Sequence, residues 1–237
     1  MKYTTASLLV ISTALMGETL IPKFSQLQLL EDSAWQPLEF RNIEQHSRYR
    51  LEQVDGVTVV RAETDNSASG LIARKRIDPN TAPIIEWGWR VSNIYEKGDA
   101  GEKSGDDYPA RIYVAFAFEP SRAGFFEKAA RVAASVFYDE EIPGTALNYI
   151  WANKLEVDSI VPNAFSDKTR MIAVDSGPEK TGRWVLQKRN IVDDYKQAFG
   201  RKPPEIVGIG IMSDSDNTGE SATAWYGDIS LSSIHVQ

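Results

Sequence analysis

The sequence contains no cysteine and only two histidines, and these absences remove whole classes of chemistry. Without a thiol there is no disulfide, no thiolate metal centre and no cysteine nucleophile. His46 and His235 lie far in sequence from every acidic loop, so neither a catalytic triad nor a histidine-rich metal site is expected; both read as surface or edge residues. Basic charge is also short, with 26 Lys and Arg against 33 Asp and Glu and a net charge of -7. Arg74-Lys75-Arg76 and Arg201-Lys202 stand as isolated clusters, and without a basic stripe nucleic acid is not an expected partner. No apolar run is long enough to span a bilayer, so no transmembrane segment is expected.

Familiar motifs are missing as well. There is no phosphate loop, no Gly-x-Ser-x-Gly elbow and no His-Glu-x-x-His, and Gly208-Ile209-Gly210 lacks the third glycine and the helix of a dinucleotide fingerprint. The apolar stretch Ala6–Gly17 follows Lys2 in the manner of a signal peptide, although Leu15 fits a cut after Gly17 poorly. A leader over 1–17 and export to the periplasm or medium are therefore expected, and an amphipathic first element of the fold is the other reading.

What is present reads as β-structure. Asp55-Gly56 separates Tyr49–Val54 from Val57–Ala62, a strong hairpin signal. Leu71–Ile77, Ile84–Val91, Ile112–Phe118, Thr145–Ala152, Arg170–Val174 and Trp184–Gln187 carry further strand patterns, and Trp35–Leu38 reads as an edge strand or loop. Trp87 and Trp89 share one strand face, as core or as a sugar-stacking platform. Two helices interrupt the pattern. One is amphipathic over Ser121–Phe137; the other runs Ile191–Phe199 behind an Asn190 cap and stops at Gly200. Many short strands with two helices in connections predict one all-β domain over 18–237, a two-sheet, jelly-roll-like sandwich.

The chain is organised around Ile206–Met212, a buried strand with glycine gaps, and the acidic loop behind it. Asp214, Asp216 and Glu220, with Asn217, Thr218 and Ser221, supply more acceptors than a turn requires. Asp65-Asn66-Ser67 resembles Asp216-Asn217-Thr218, and the two loops make sense together on one edge of a sandwich. The Asp214-x-Asp216-x-Thr218-Gly219 spacing resembles the start of a calcium loop, but Trp225 stands where an EF-hand needs its bidentate Glu. Calcium in another geometry, with Asp228 or the Asp106-Asp107 pair contributing, remains a possible cofactor.

The segments Gly105–Val114, Leu147–Asn153, Asp214–Ala222 and Tyr226–Ile229 resemble the signatures of the bacterial domain of unknown function 3047 family, over roughly Trp35–Leu231. The resemblance implies an exported protein with no established activity, and it marks Ser121–Phe137 as an insertion. The layout is also similar to galactose-binding-like jelly rolls, a likeness that implies no function.

The expected site set is Asp106, Asp107, Arg111, Asn148, Trp151, Asp214, Asp216, Asn217 and Glu220, binding a polar ligand, foremost a glycan. One alternative is a carboxylate-dependent glycoside hydrolase or polysaccharide lyase using two of the same acids. The other is a structural envelope interaction domain in which those residues tie loops together.

Overall fold

The computed structural model describes residues 20–40, 42–124 and 143–233. The expected leader, the helix expected over Ser121–Phe137 from residue 125 onward, and His235 lie outside the described residues. The described residues form two sheets packed face to face.

The larger sheet has seven strands: β1 (Trp35–Leu38), β4 (Ala68–Ala73), β11 (Ile206–Asp214), β6 (Arg111–Phe116), β7 (Thr145–Ala152), β9 (Ser166–Ser176) and β8 (Ile160–Asn163), in that spatial order. The smaller has five: β10 (Val185–Asn190), β5 (Ile84–Val91), β12 (Ser221–Ser232), β3 (Val57–Asp65) and β2 (Arg48–Val54). All neighbours are antiparallel except β7 and β9. The hairpin at Asp55-Gly56 forms as expected, with both residues at positive φ (50° and 81°), the left-handed pair that lets a two-residue loop follow the strand twist.

Alternation fixes which side chains point inward. Ile112, Val114, Leu147, Tyr149, Trp151, Ile209 and Ile211 from the larger sheet meet Val60, Ala62, Trp87, Trp89, Ala224 and Tyr226 from the smaller. Trp89 packs against Trp87 at 5.4 Å and Trp151 at 6.0 Å between ring centroids. Its indole N–H donates to the buried Asp175 carboxylate at 2.8 Å, which answers the donor that a buried tryptophan brings with it. Trp87 and Trp89 are therefore core, and the sugar-platform reading of that face is set aside.

The helix α1 (Ile191–Phe199) matches expectation in both caps: the Asn190 side chain accepts from the Val192 and Asp193 N–H groups, and Gly200 closes it at φ 70°. It is the only α-helix among the described residues. The strand β8 and the lengthening of β9 to Ser166 were not anticipated, because Pro162 and exposed polar residues obscure the alternation there.

At one end of the sandwich β3 leaves the smaller sheet and re-enters the larger as β4 through Asn66-Ser67. This crossing sits beside the loop between β11 and β12. Ser215 N–H donates to Ser67 O (2.9 Å), Asn66 N–H to Glu220 O (3.1 Å), and the Thr64 and Ser215 hydroxyls meet at 2.7 Å. The two loops that resemble one another in sequence thus lie together, as expected.

Candidate functional site

The face of the seven-stranded sheet turned away from the core carries the candidate site. Cross-strand register sets its rows: Gly70, Met212, Arg111 and Ile150; Ile72, Gly210, Tyr113 and Asn148; Gly208, Ala115 and Ala146. Glycine and alanine at the centre leave a trough. It forms a cavity of about 1530 Å³, lined by Ile72, Gly208, Tyr113, Ala115, Ala146 and Met212, with Phe40 and Phe165 at its sides. A Cβ on Gly208 would come within 3.1 Å of the Ile72 side chain, so the glycine keeps both the packing and the floor.

One end of this groove is acidic. Asp106, Arg111, Asp214, Asp216 and Asn217 line it. Arg111 opens β6 and Asp214 closes β11, and antiparallel pairing sets them diagonally across adjacent strands. The buried guanidinium grips Asp214 from two nitrogens, with Nε at 2.7 Å from Oδ1 and Nη2 on Oδ2. Its Nη2 also donates to the Asp106 carbonyl at 2.6 Å, and its plane lies over the Tyr108 ring at 4.4 Å.

Asp107 is wholly buried and works as a loop tie. Its carboxylate accepts the N–H groups of Asn217 (3.0 Å) and Thr218 (2.6 Å) and the Asn217 side-chain amide (2.9 Å). Glu220 does the same further out, accepting Glu96 N–H at 3.1 Å and Lys97 N–H at 2.9 Å. It does not line the groove. Trp151 belongs to the core and donates to Gly177 O at 3.2 Å, so the structure removes it from the groove as well. Asn148 lies on the groove face, fully buried beside Tyr113, with both amide atoms unpartnered. Of the nine expected residues, the structure thus gathers Asp106, Arg111, Asp214, Asp216 and Asn217 at the groove, with Asp107 directly behind them.

Three residues were not anticipated. Tyr113 follows Arg111 by two and shares its face, a period-two signal legible in the sequence. Met212 likewise precedes Asp214 by two. Asn163, whose amide donates to Asp106 Oδ2 at 2.7 Å, comes from β8 and had no such signal.

The carboxylates Asp107, Asp214 and Asp216 bring oxygens within 4.8 Å of one another, the spacing a cation site would use. Donor chemistry argues against a metal there. The oxygens of Asp107 and Asp214 already accept backbone, amide and guanidinium N–H groups, and Arg111 already gives Asp214 a positive partner.

Burial pushes the Asp214 carboxyl up to about 8, against the lowering effect of Arg111 and with Asp107 and Asp106 adding to the rise. Burial, then Asp107, pushes the half-buried Asp216 in the same direction. A carboxyl whose folded value is raised binds its proton more tightly in the native state. Its contribution to stability is full below about pH 4 and is lost as pH rises through about 8. Asp214→Asn is expected to flatten the fall in denaturation midpoint across that window; an unchanged slope contradicts the assignment.

The family model described as Protein of unknown function (DUF3047) matches residues 33–230. No curated protein matches the chain. Among solved structures, the chain is similar to one titled "Cellulose induced protein, Cip1", at 10% identity over 84% of this chain and 90% of that one, with a TM-score of 0.45. The family match runs from just before β1 into β12, and the chain belongs to the DUF3047 family.

Proposed function

We propose that the groove on the outer face of the seven-stranded sheet binds a glycan. The observation that carries this reading is the union, in one long trough, of carboxylate acceptors, a guanidinium and aromatic sides: Asp106, Asp216, Arg111, Tyr113 and Phe165. Sugars offer hydroxyl pairs to planar polar groups and C–H faces to rings, and a trough rather than a closed pocket accommodates a chain. The floor is apolar and small, which lets a ring lie against the sheet. The opposite face of the sandwich offers far less. Its hollow, of about 580 Å³, is a shallow apolar dish beside Trp184 and Leu186.

A panel of soluble neutral, acidic and amino oligosaccharides, read by calorimetry, tests the reading. Binding of at least one class, weakened about tenfold or more by Ala146→Trp, which would fill the floor, is the expected result. No binding across the panel sinks it.

A catalytic reading has one observation in its favour. Asp216 is a half-buried carboxyl in the cavity, pushed upward by burial and by Asp107, as a general acid requires. Release of reducing ends from a bound glycan, lost in Asp216→Asn with the melting temperature unchanged, would add turnover to binding.

A further inference from the structure

The acidic end of the groove is crowded with carboxyls. Asp106, Asp107 and Asp214 are buried and Asp216 is half-buried, yet a single buried guanidinium, Arg111, stands among them. Lys97 and Lys103 are exposed, Lys97 donating to Thr218 O and Lys103 lying over the Phe165 ring.

One acceptor is also unanswered. Asp106 is 3% exposed, and its Oδ1 has no hydrogen-bond partner. Arg111 Nη1 is 3.9 Å from it, and the Tyr108 hydroxyl, itself without a well-formed partner, lies beside Asp106. Asp106 Oδ2, by contrast, is held by Asn163. Asp216, next along the groove, takes a long contact of 3.4 Å from the Asn217 amide and a hydrogen bond from its own backbone N–H. A buried carboxylate oxygen with no donor is costly, and an incoming group that supplies one relieves that cost.

We propose that this end of the groove takes a protonated amino group, so that the ligand is a glycan of free, unacylated amino sugars. The inference rests on the glycan reading above and narrows it to a substrate class. An ammonium brings a positive charge and three N–H donors to a place where four carboxyls share one guanidinium. A sugar hydroxyl brings one donor and no charge, and an N-acetyl group brings one donor and a carbonyl that faces the surplus acceptors.

The far end of the groove has the opposite character. Arg74, Lys75 and Arg76 follow β4 and line the cavity there. Along β11, Gly208 and Asp214 are separated by roughly 20 Å of strand. A cationic sugar is therefore drawn to the Asp106 end.

Calorimetry with the full chain tests the proposal, comparing glucosamine oligosaccharides with their N-acetylated counterparts of equal length, at a pH where the amine is protonated. The free-amine form is expected to bind about tenfold tighter or more. Asp106→Asn and Asp216→Asn should each remove most of that preference, whereas Tyr108→Phe should keep it. If Asp106→Asn does not fold, Asp216→Asn carries the test.

Equal binding of the two forms overturns the proposal. So does a preference that survives both asparagine substitutions, since that is general attraction of a polycation to an acidic protein. If neither form binds while another glycan of the panel does, the amine assignment fails and the groove reading stands. If no glycan binds, the groove reading fails with it.

Discussion

Arg111→Met should lower stability by about 3–5 kcal/mol at pH 8, because it strands Asp214 in a buried site with no counter-charge. For a chain of this size that is a fall of roughly 6–20 °C in melting temperature. The loss should shrink as the pH is lowered, since a proton on Asp214 relieves the stranded charge. It should also shrink in Arg111→Met with Asp214→Leu, where both charges give way to apolar groups of similar reach. Thermal or urea unfolding of the two variants decides the matter. A double variant as unstable as the single would mean that Arg111 acts chiefly through its bond to the Asp106 carbonyl and its stacking on Tyr108.

The second large effect belongs to Asp107, which does not line the groove. Asp107→Ala leaves the Asn217 and Thr218 N–H groups and the Asn217 amide without an acceptor, at an expected cost of about 2–4 kcal/mol. Asp107→Asn keeps one acceptor oxygen and should cost about half as much. Both should also weaken ligand binding, because the loop that presents Asp216 and Asn217 is tied down by this carboxylate. Urea unfolding measures the first effect and calorimetry with the bound glycan the second. Undiminished affinity in a destabilised Asp107→Ala protein would mean that the loop holds its shape without the tie.

Much of this layout was legible in the residues. The Asp55-Gly56 turn, the caps of α1 and the alternation in β5, β6 and β7 are local signals, and local physics decided them. The pairing of the two Asp-Asn-Ser/Thr loops was legible too, because both follow strands that end at the same edge. The site divided differently. Asp106, Arg111, Asp214, Asp216 and Asn217 lie together at one end of the groove, and Glu220 and Trp151 do not join them.

The reason is direction rather than identity. Trp151 lies one residue past Ile150, and a strand sends neighbours to opposite faces. Ile150 faces outward beside Arg111, so Trp151 must face the core. Glu220 lies beyond the turn at Gly219, where the chain has already left the larger sheet for the smaller. Nothing in a single sequence says which face of a strand a groove will occupy. Asn163 shows the complementary gap: its partner Asp106 is far away in sequence, and only the packing of β8 onto β9 brings them together.

The groove reading is tested most directly by amide chemical-shift mapping of the labelled protein during titration with a glycan that binds. Shifts concentrated on Arg111–Ala115, Gly208–Asp216 and Ile72 are the predicted result. Shifts concentrated around Trp184, Leu186 and Gly227, on the outer face of the smaller sheet, would contradict it.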